Sequence, residues 1–148
     1  RLELVTDAEA ADQLGLTADA SLVLIDRLRW AGDEPLAIDR IWLPADVAEP
    51  LLDIDFTRTS LYAELERVAG MRPGAGWERI HPCIPTDDER ASLQLDAGEA
   101  VFSIERLGTC NGDAIEWRVT TIRGDRFTLV ADWTAGQRNE LRPHMVVG

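Results

Sequence analysis

The sequence predicts an α+β domain, an antiparallel sheet of about six strands with three or four short helices packed on one face. Three observations carry that prediction. Asn111-Gly112 lies between two strand-like stretches and is the strongest short-range hairpin signal available. An earlier stretch repeats the design: Leu22–Trp30, a turn at Ala31-Gly-Asp-Glu34, then Pro35–Leu43. Strands joined by turns this tight run antiparallel, and helical patterns with recognisable caps fall between the hairpins.

Taken in order, Asp7 to Gly15 predicts a short helix, with Asp7 as N-cap and Gly15 as terminator. Leu22–Trp30 and Leu36–Leu43 form the first hairpin, and Pro44 to Asp53 a short helix interrupted by Pro50. Thr59 to Ala69 is the clearest helix: a hydroxyl residue opens it, Leu61, Leu65 and Val68 share a stripe, and Gly70 closes it. Gly74 to Ile84 reads as a strand with Trp77, Ile80 and Ile84 as apolar points. Thr86 to Leu95 carries a capping-box signature, Thr86 with Glu89 three residues on, and Gly98 follows it. The second hairpin starts at Ala100, and Arg126–Trp133 is apolar enough for one more strand. Residues 135–148 show no periodicity and are expected to be a loop or tail.

The two hairpins also match each other. Ile25-Asp-Arg-Leu28 aligns with Ile104-Glu-Arg-Leu107, and Ile38-Asp39 with Ile115-Glu116, which reads as an internal duplication of about two dozen residues.

Bulk properties narrow the function. At 148 residues the chain is one domain (1–148), large enough for a proper core. No apolar run is long enough to span a bilayer, and no basic-then-apolar signal opens the chain. The start at Arg1, without methionine, predicts a piece of a longer, cytoplasmic protein. The net charge is −12 and every basic residue is an arginine. Such a surface repels polyphosphate, so the domain is not expected to bind DNA or RNA by itself. A cluster of arginines inside an acidic shell can still hold a small anion, because short-range pairing outlasts screening. Cys83 and Cys110 are too few for a disulfide scaffold, and nothing near His81-Pro-Cys83 completes a metal set, so no metal or cofactor is expected. The five tryptophans are expected in the core and at interfaces, not in a stacking cage.

With those residues laid out, the chain resembles the effector-sensing UTRA domain of HutC-type regulators in the GntR superfamily of bacterial transcription factors. The matching pieces are Arg27-Leu-Arg29 before Gly-Asp-Glu-Pro35, Trp42-Leu-Pro44, Ser60-Leu-Tyr62, Ile80-His-Pro82, Ile104-Glu-Arg106, Ile115-Glu116 and Arg123-Gly-Asp-Arg-Phe127. The resemblance implies a chorismate-lyase-like fold with a six-stranded antiparallel sheet. It also implies a winged helix-turn-helix domain preceding this part, through which alone DNA would be bound, and a homodimer. The implied partner is a small anionic or polar metabolite, often a phosphorylated sugar or an amino-acid derivative. The positions matching the family's ligand contacts are Arg27, Arg29, Asp39, Glu116 and Ser60. The family often has an aromatic residue just before Arg-Gly-Asp where this chain has Ile122. That difference bears on a stacking or hydroxyl contact and hence on the effector class.

Alternation puts Arg27 and Arg29 on one face of a strand. A loop centred on Asp33 sets Arg27 opposite Asp39 and Arg29 opposite Ala37, and two guanidinium groups on one face can grip a carboxylate or phosphate. Asp39 and Glu116 would accept hydrogen bonds from the same ligand and keep the empty site from holding uncompensated positive charge. From the residues alone, Arg27–Asp39 and Arg106–Glu116 also read as plain cross-strand ion pairs. The second register has two solutions: a three-residue loop opposes Arg106 to Glu116, a two-residue Asn-Gly turn opposes Leu107 to it. Ser60 at a helix start reads as a cap or as a phosphate neighbour. Function then divides between a ligand-binding sensor, a chorismate-lyase-like enzyme and a bare dimerisation scaffold. No nucleophile–base pair, metal set or phosphate loop supports the enzyme, so a non-enzymatic sensor is the expectation.

Overall fold

The computed structural model describes residues 1–136 and the backbone of 140–145. In chain order the elements are β1 (Leu2–Thr6), α1 (Ala8–Gln13), β2 (Ser21–Ala31), β3 (Glu34–Pro44), α2 (Ala45–Ala48), a 3-10 turn (Glu49–Asp53) and α3 (Leu61–Ala69). Then come β4 (Ala75–Cys83), α4 (Asp87–Ser92), β5 (Val101–Cys110), β6 (Asp113–Arg123), a 3-10 turn (Gly124–Arg126), β7 (Phe127–Asp132) and β8 (Glu140–Met145). Six strands form one antiparallel sheet in the order β1-β2-β3-β6-β5-β4, and β7 pairs with β8 as a separate ribbon.

The predicted caps are in place. Asp7 accepts from the amides of Glu9 and Ala10, Ser60 from Ala63, and Thr86 and Glu89 close a full capping box. Pro50 does not end its helix outright; it sits at the start of the 3-10 turn that continues α2. Asn111 and Gly112 take φ of 53° and 94°, the left-handed pair that a two-residue hairpin turn demands.

Three expectations change. The sixth strand of the sheet is β1, paired with β2 from Leu2↔Ile25 to Thr6↔Ser21; the strand predicted at 126–133 lies in the ribbon instead. Of the stretch expected to be a tail, Glu140–Met145 forms β8, while 137–139 and 146–148 lie outside the described residues. Backbone pairing needs no apolar alternation, so composition carries no trace of it. Helices also cover both faces of the sheet. On one face α2 and α3 pack on Val23, Ile25, Ile41 and Leu43; on the other α1 lies on Leu22, Leu24, Trp42 and Trp117, and Leu93, the residue just past α4, on Ile38 and Val101. The unbroken run Leu22-Val-Leu-Ile25 is what a strand buried on both sides requires.

The duplication reaches further than two dozen residues. Each half is a strand, a short helix and a hairpin, and β3 and β6 pair about the Arg40–Val119 position. Leu14 N–H donates to Ala10 O and Leu16 N–H to Ala11 O in the first half; Leu93 to Glu89 and Leu95 to Arg90 repeat this in the second. Each hairpin has an extra residue after its turn, Leu36 in β3 and Ile115 in β6. Counted from these shared features, Asp39 corresponds to Arg118 and Glu116 to Ala37. The alignment of Asp39 with Glu116 is therefore a coincidence of composition, while that of Arg27 with Arg106 holds.

Candidate functional site

The site follows from the registers. One lateral row across the sheet reads Arg27, Asp39, Thr120, Ile104, Ile80. The row on one side brings Arg118, Arg106 and Glu78 together, and the row on the other brings Arg29, Ala37 and Ile122. Residues two apart on a strand share a face, so these side chains all rise from the same surface. Helices α2 and α3 cover the β2/β3 end of that surface. Over the rest opens a cavity of about 300 Å³, with Arg27, Arg29, Arg106, Arg118 and Glu78 around it, Thr120 on its floor, and Ile80, Ile104, Ile122 and Phe127 forming an apolar corner.

Asp39 lies beneath the arginines, 1% exposed. It accepts from Arg27 Nε at 3.0 Å and from Thr120 Oγ1 at 2.7 Å. Arg29 Nε approaches Oδ2, the oxygen that Arg27 uses, at 2.9 Å as an ion pair, without the alignment of a hydrogen bond. Both arginines are thus anchored through Nε, which leaves their Nη forks for a bound anion. Burial by itself would raise the Asp39 pKa. The Thr120 hydroxyl, Arg29 and Arg27 together outweigh burial and hold the carboxyl below its ordinary value. The register predicted for this hairpin is the one found: Arg27 opposes Asp39 and Arg29 opposes Ala37.

Glu116 has no exposed surface. It accepts from Tyr62 Oη at 2.7 Å and from Arg118 Nε at 2.6 Å, with Arg118 Nη2 at 2.5 Å. Neither predicted register is right. The turn is the two-residue one, but the extra residue Ile115 shifts the ladder, so Gly108 opposes Glu116 and Arg106 opposes Arg118. A side chain at 108 would put its Cβ 3.2 Å from Glu116 Oε2, so glycine there gives the buried carboxylate its space. The expected Arg106–Glu116 ion pair does not form; Arg106 pairs with Glu78, Nε to Oε1 at 2.7 Å. Arg106 and Arg118 each also donate to the Tyr62 hydroxyl, both at 3.3 Å. Burial first, then the Glu116 carboxylate, push the Tyr62 phenol above its usual value, so it stays a neutral donor.

Four of the six singled-out positions therefore meet around one cavity: Arg27, Arg29 and Ile122 line it and Asp39 underlies it. Glu116 lies beside it and holds Arg118. Ser60 does not line it; it is an exposed N-cap of α3, because its hydroxyl is engaged by the Ala63 amide at 3.2 Å. Two residues on, Tyr62 is the side chain of that segment that reaches the site. Arg118, Glu78 and Thr120 were not singled out. The signal for Arg118 was present, since it stands two residues from Glu116 on the same face; Glu78 and Thr120 are brought in by strand order alone. A second cavity of about 220 Å³ shares Glu78 and Arg106 and continues under Tyr62, Pro73 and Trp77. Trp42 and Trp117 stack at 4.7 Å in the opposite face, as core residues, while Trp30, Trp77 and Trp133 are exposed.

Comparisons with known proteins agree with this architecture. The family model described as the UTRA domain matches residues 2–128. The HTH-type transcriptional repressor NagR of Bacillus subtilis is 32% identical over 123 residues, covering 82% of this chain and 50% of that protein. Among solved structures, the C-terminal domain of the histidine utilization repressor from Pseudomonas syringae pv. tomato superposes with a TM-score of 0.81 at 25% identity, over 90% of this chain and 94% of that one. The effector domain of PhnF from Mycobacterium smegmatis gives 0.77 at 28%, over 85% and 78%. The chain spans about half the length of the curated relatives it matches.

Proposed function

The chain belongs to the UTRA domain family, whose matched relatives are transcriptional regulators, and from that premise we propose that the arginine-lined cavity is the effector site of a bacterial GntR-type regulator. The effector is a small anion held by Arg27 and Arg29. The observation that carries this reading is that two guanidinium groups share one buried carboxylate through Nε and line a cavity of about 300 Å³. A pair of ion pairs built only for stability would not need that space above it.

The carboxylates suit binding better than acid–base chemistry, since the Thr120 hydroxyl and the two arginines outweigh burial and hold Asp39 ionised. The names of the relatives likewise support a regulator over a lyase. In the whole protein, two such chains form a homodimer and DNA is read by a winged helix-turn-helix domain outside these residues. The effector changes operator affinity only to the extent that it binds one conformation better than the other. Glu116 is the element placed to feel it, because Arg118 lies at the cavity while the Glu116–Tyr62 bond ties that arginine to α3.

Calorimetric titration of the chain with inorganic phosphate and with small carboxylates tests the site. Saturable binding that Arg29→Ala weakens at least tenfold is expected, from loss of a charge-assisted pair. Indifference of the wild-type chain to every small anion refutes it.

A further inference from the structure

The composition of the cavity says more than that an anion binds. We propose that the effector of this chain is an amphiphilic monoanion, a small carboxylic acid with an apolar body, and not a sugar phosphate. The proposal rests on reading the arginine cavity as the effector site.

Charge sets the first half of it. Among the described residues, four arginines, 27, 29, 106 and 118, stand around the cavity, and against them three carboxylates, Asp39, Glu116 and Glu78. Each carboxylate is already paired, which leaves one positive charge to be met by the ligand. A single carboxylate does this, whereas a phosphate monoester carries close to two negative charges at neutral pH.

The opposite corner sets the second half. Ile80, Ile104, Ile122 and Phe127 offer no hydrogen-bonding side-chain atom, and Ile122 and Phe127 are 2% and 6% exposed. Thr120 is the hydroxyl nearest this corner in the lateral row, and it is committed to Asp39 at 2.7 Å. A hydroxyl turned against this wall loses water and gains no partner from it. A methylene or aryl body is stabilised there instead. The volume bounds the size: about 300 Å³ is at the small end of small-molecule sites, so the ligand is a small one.

The test is a homologous series. Acetate, butyrate, hexanoate, octanoate and decanoate are titrated into the chain, with inorganic phosphate and glucose 6-phosphate alongside. Affinity is expected to tighten by roughly fourfold per methylene along the series and to level off once the chain fills the apolar corner. Glucose 6-phosphate is expected to bind no tighter than phosphate. Ile80→Ser and Ile104→Ser, both at partly exposed positions, should flatten the series without unfolding the chain. A series with no chain-length dependence, or glucose 6-phosphate tenfold tighter than phosphate, overturns the amphiphile while Arg29-dependent binding keeps the site. Absence of binding by every carboxylate and phosphate, or binding untouched by Arg29→Ala, overturns both.

Discussion

Replacing Asp39 by asparagine tests the anchor on which the site depends. Asn keeps the size and an acceptor for Thr120 but removes the charge shared by Arg27 and Arg29. Breaking a buried ion pair from one side costs about 3–5 kcal/mol. Here the arginine side chains are 36% and 41% exposed and can rehydrate, so most of that is screened. A loss of about 1–2 kcal/mol at pH 7 is expected for Asp39→Asn. Asp39→Ala also strands the Thr120 hydroxyl and should cost about 1–3 kcal/mol more. The pH dependence has a definite sign. Thr120, Arg29 and Arg27 outweigh burial and depress the folded-state pKa of Asp39. The carboxylate's contribution is then present above its unfolded value near 3.9 and disappears as pH falls through the lower folded value. Urea denaturation of wild type and Asp39→Asn at pH 7, 5 and 3 should give a constant difference between pH 7 and 5 that narrows at pH 3. Equal stability at pH 7, or a gap that widens on acidification, would show that Asp39 is not an ionised anchor.

Three further outcomes follow from the same geometry. Glu116→Ala, which removes a carboxylate with no exposed surface from Arg118 and Tyr62, should destabilise by about 3–5 kcal/mol, and Tyr62→Phe by about 1–2 kcal/mol. Their double-mutant cycle in denaturant should show coupling of at least about 0.5 kcal/mol. Gln94 occupies the left-handed region at φ 53°, where its counterpart in the first half is Gly15 at φ 70°. Gln94→Gly should therefore raise Tm by roughly 1–4 °C in calorimetry, the relieved backbone strain exceeding the extra chain entropy. Gly76 has φ of 152°, and a Cβ there would stand 1.9 Å from the Leu107 carbonyl oxygen. Gly76→Ala should cost more than about 1 kcal/mol and speed hydrogen exchange at the β4–β5 amides first.

Much of this molecule is legible in its sequence. Caps and turns depend on a few neighbouring residues, so Asp7, Thr86 with Glu89, Gly70 and Asn111-Gly112 all do locally what their chemistry requires. The first hairpin's register was legible too, since a count from Asp33 sets Arg27 against Asp39. The second was not, because the added residue Ile115 slides Glu116 past both of the partners a simple turn allows. A short edge strand such as β1 and a ribbon strand such as β8 left no mark, because pairing there is carried by backbone groups that every sequence possesses.

By itself, then, the sequence determined the α+β class, the hairpins, the caps and the two arginines on one strand face, since each depends on periodicity or on neighbours a few residues away. Only the tertiary structure decided that β3 and β6 meet at the centre of the sheet. That contact sets Thr120 beside Asp39 and puts Arg118 and Arg106 next to Arg27's row, with Ile80, Ile104 and Ile122 across from them. Side chains far apart in sequence converge through strand order, and strand order is settled by how both faces of the sheet are buried together, which no local stretch encodes.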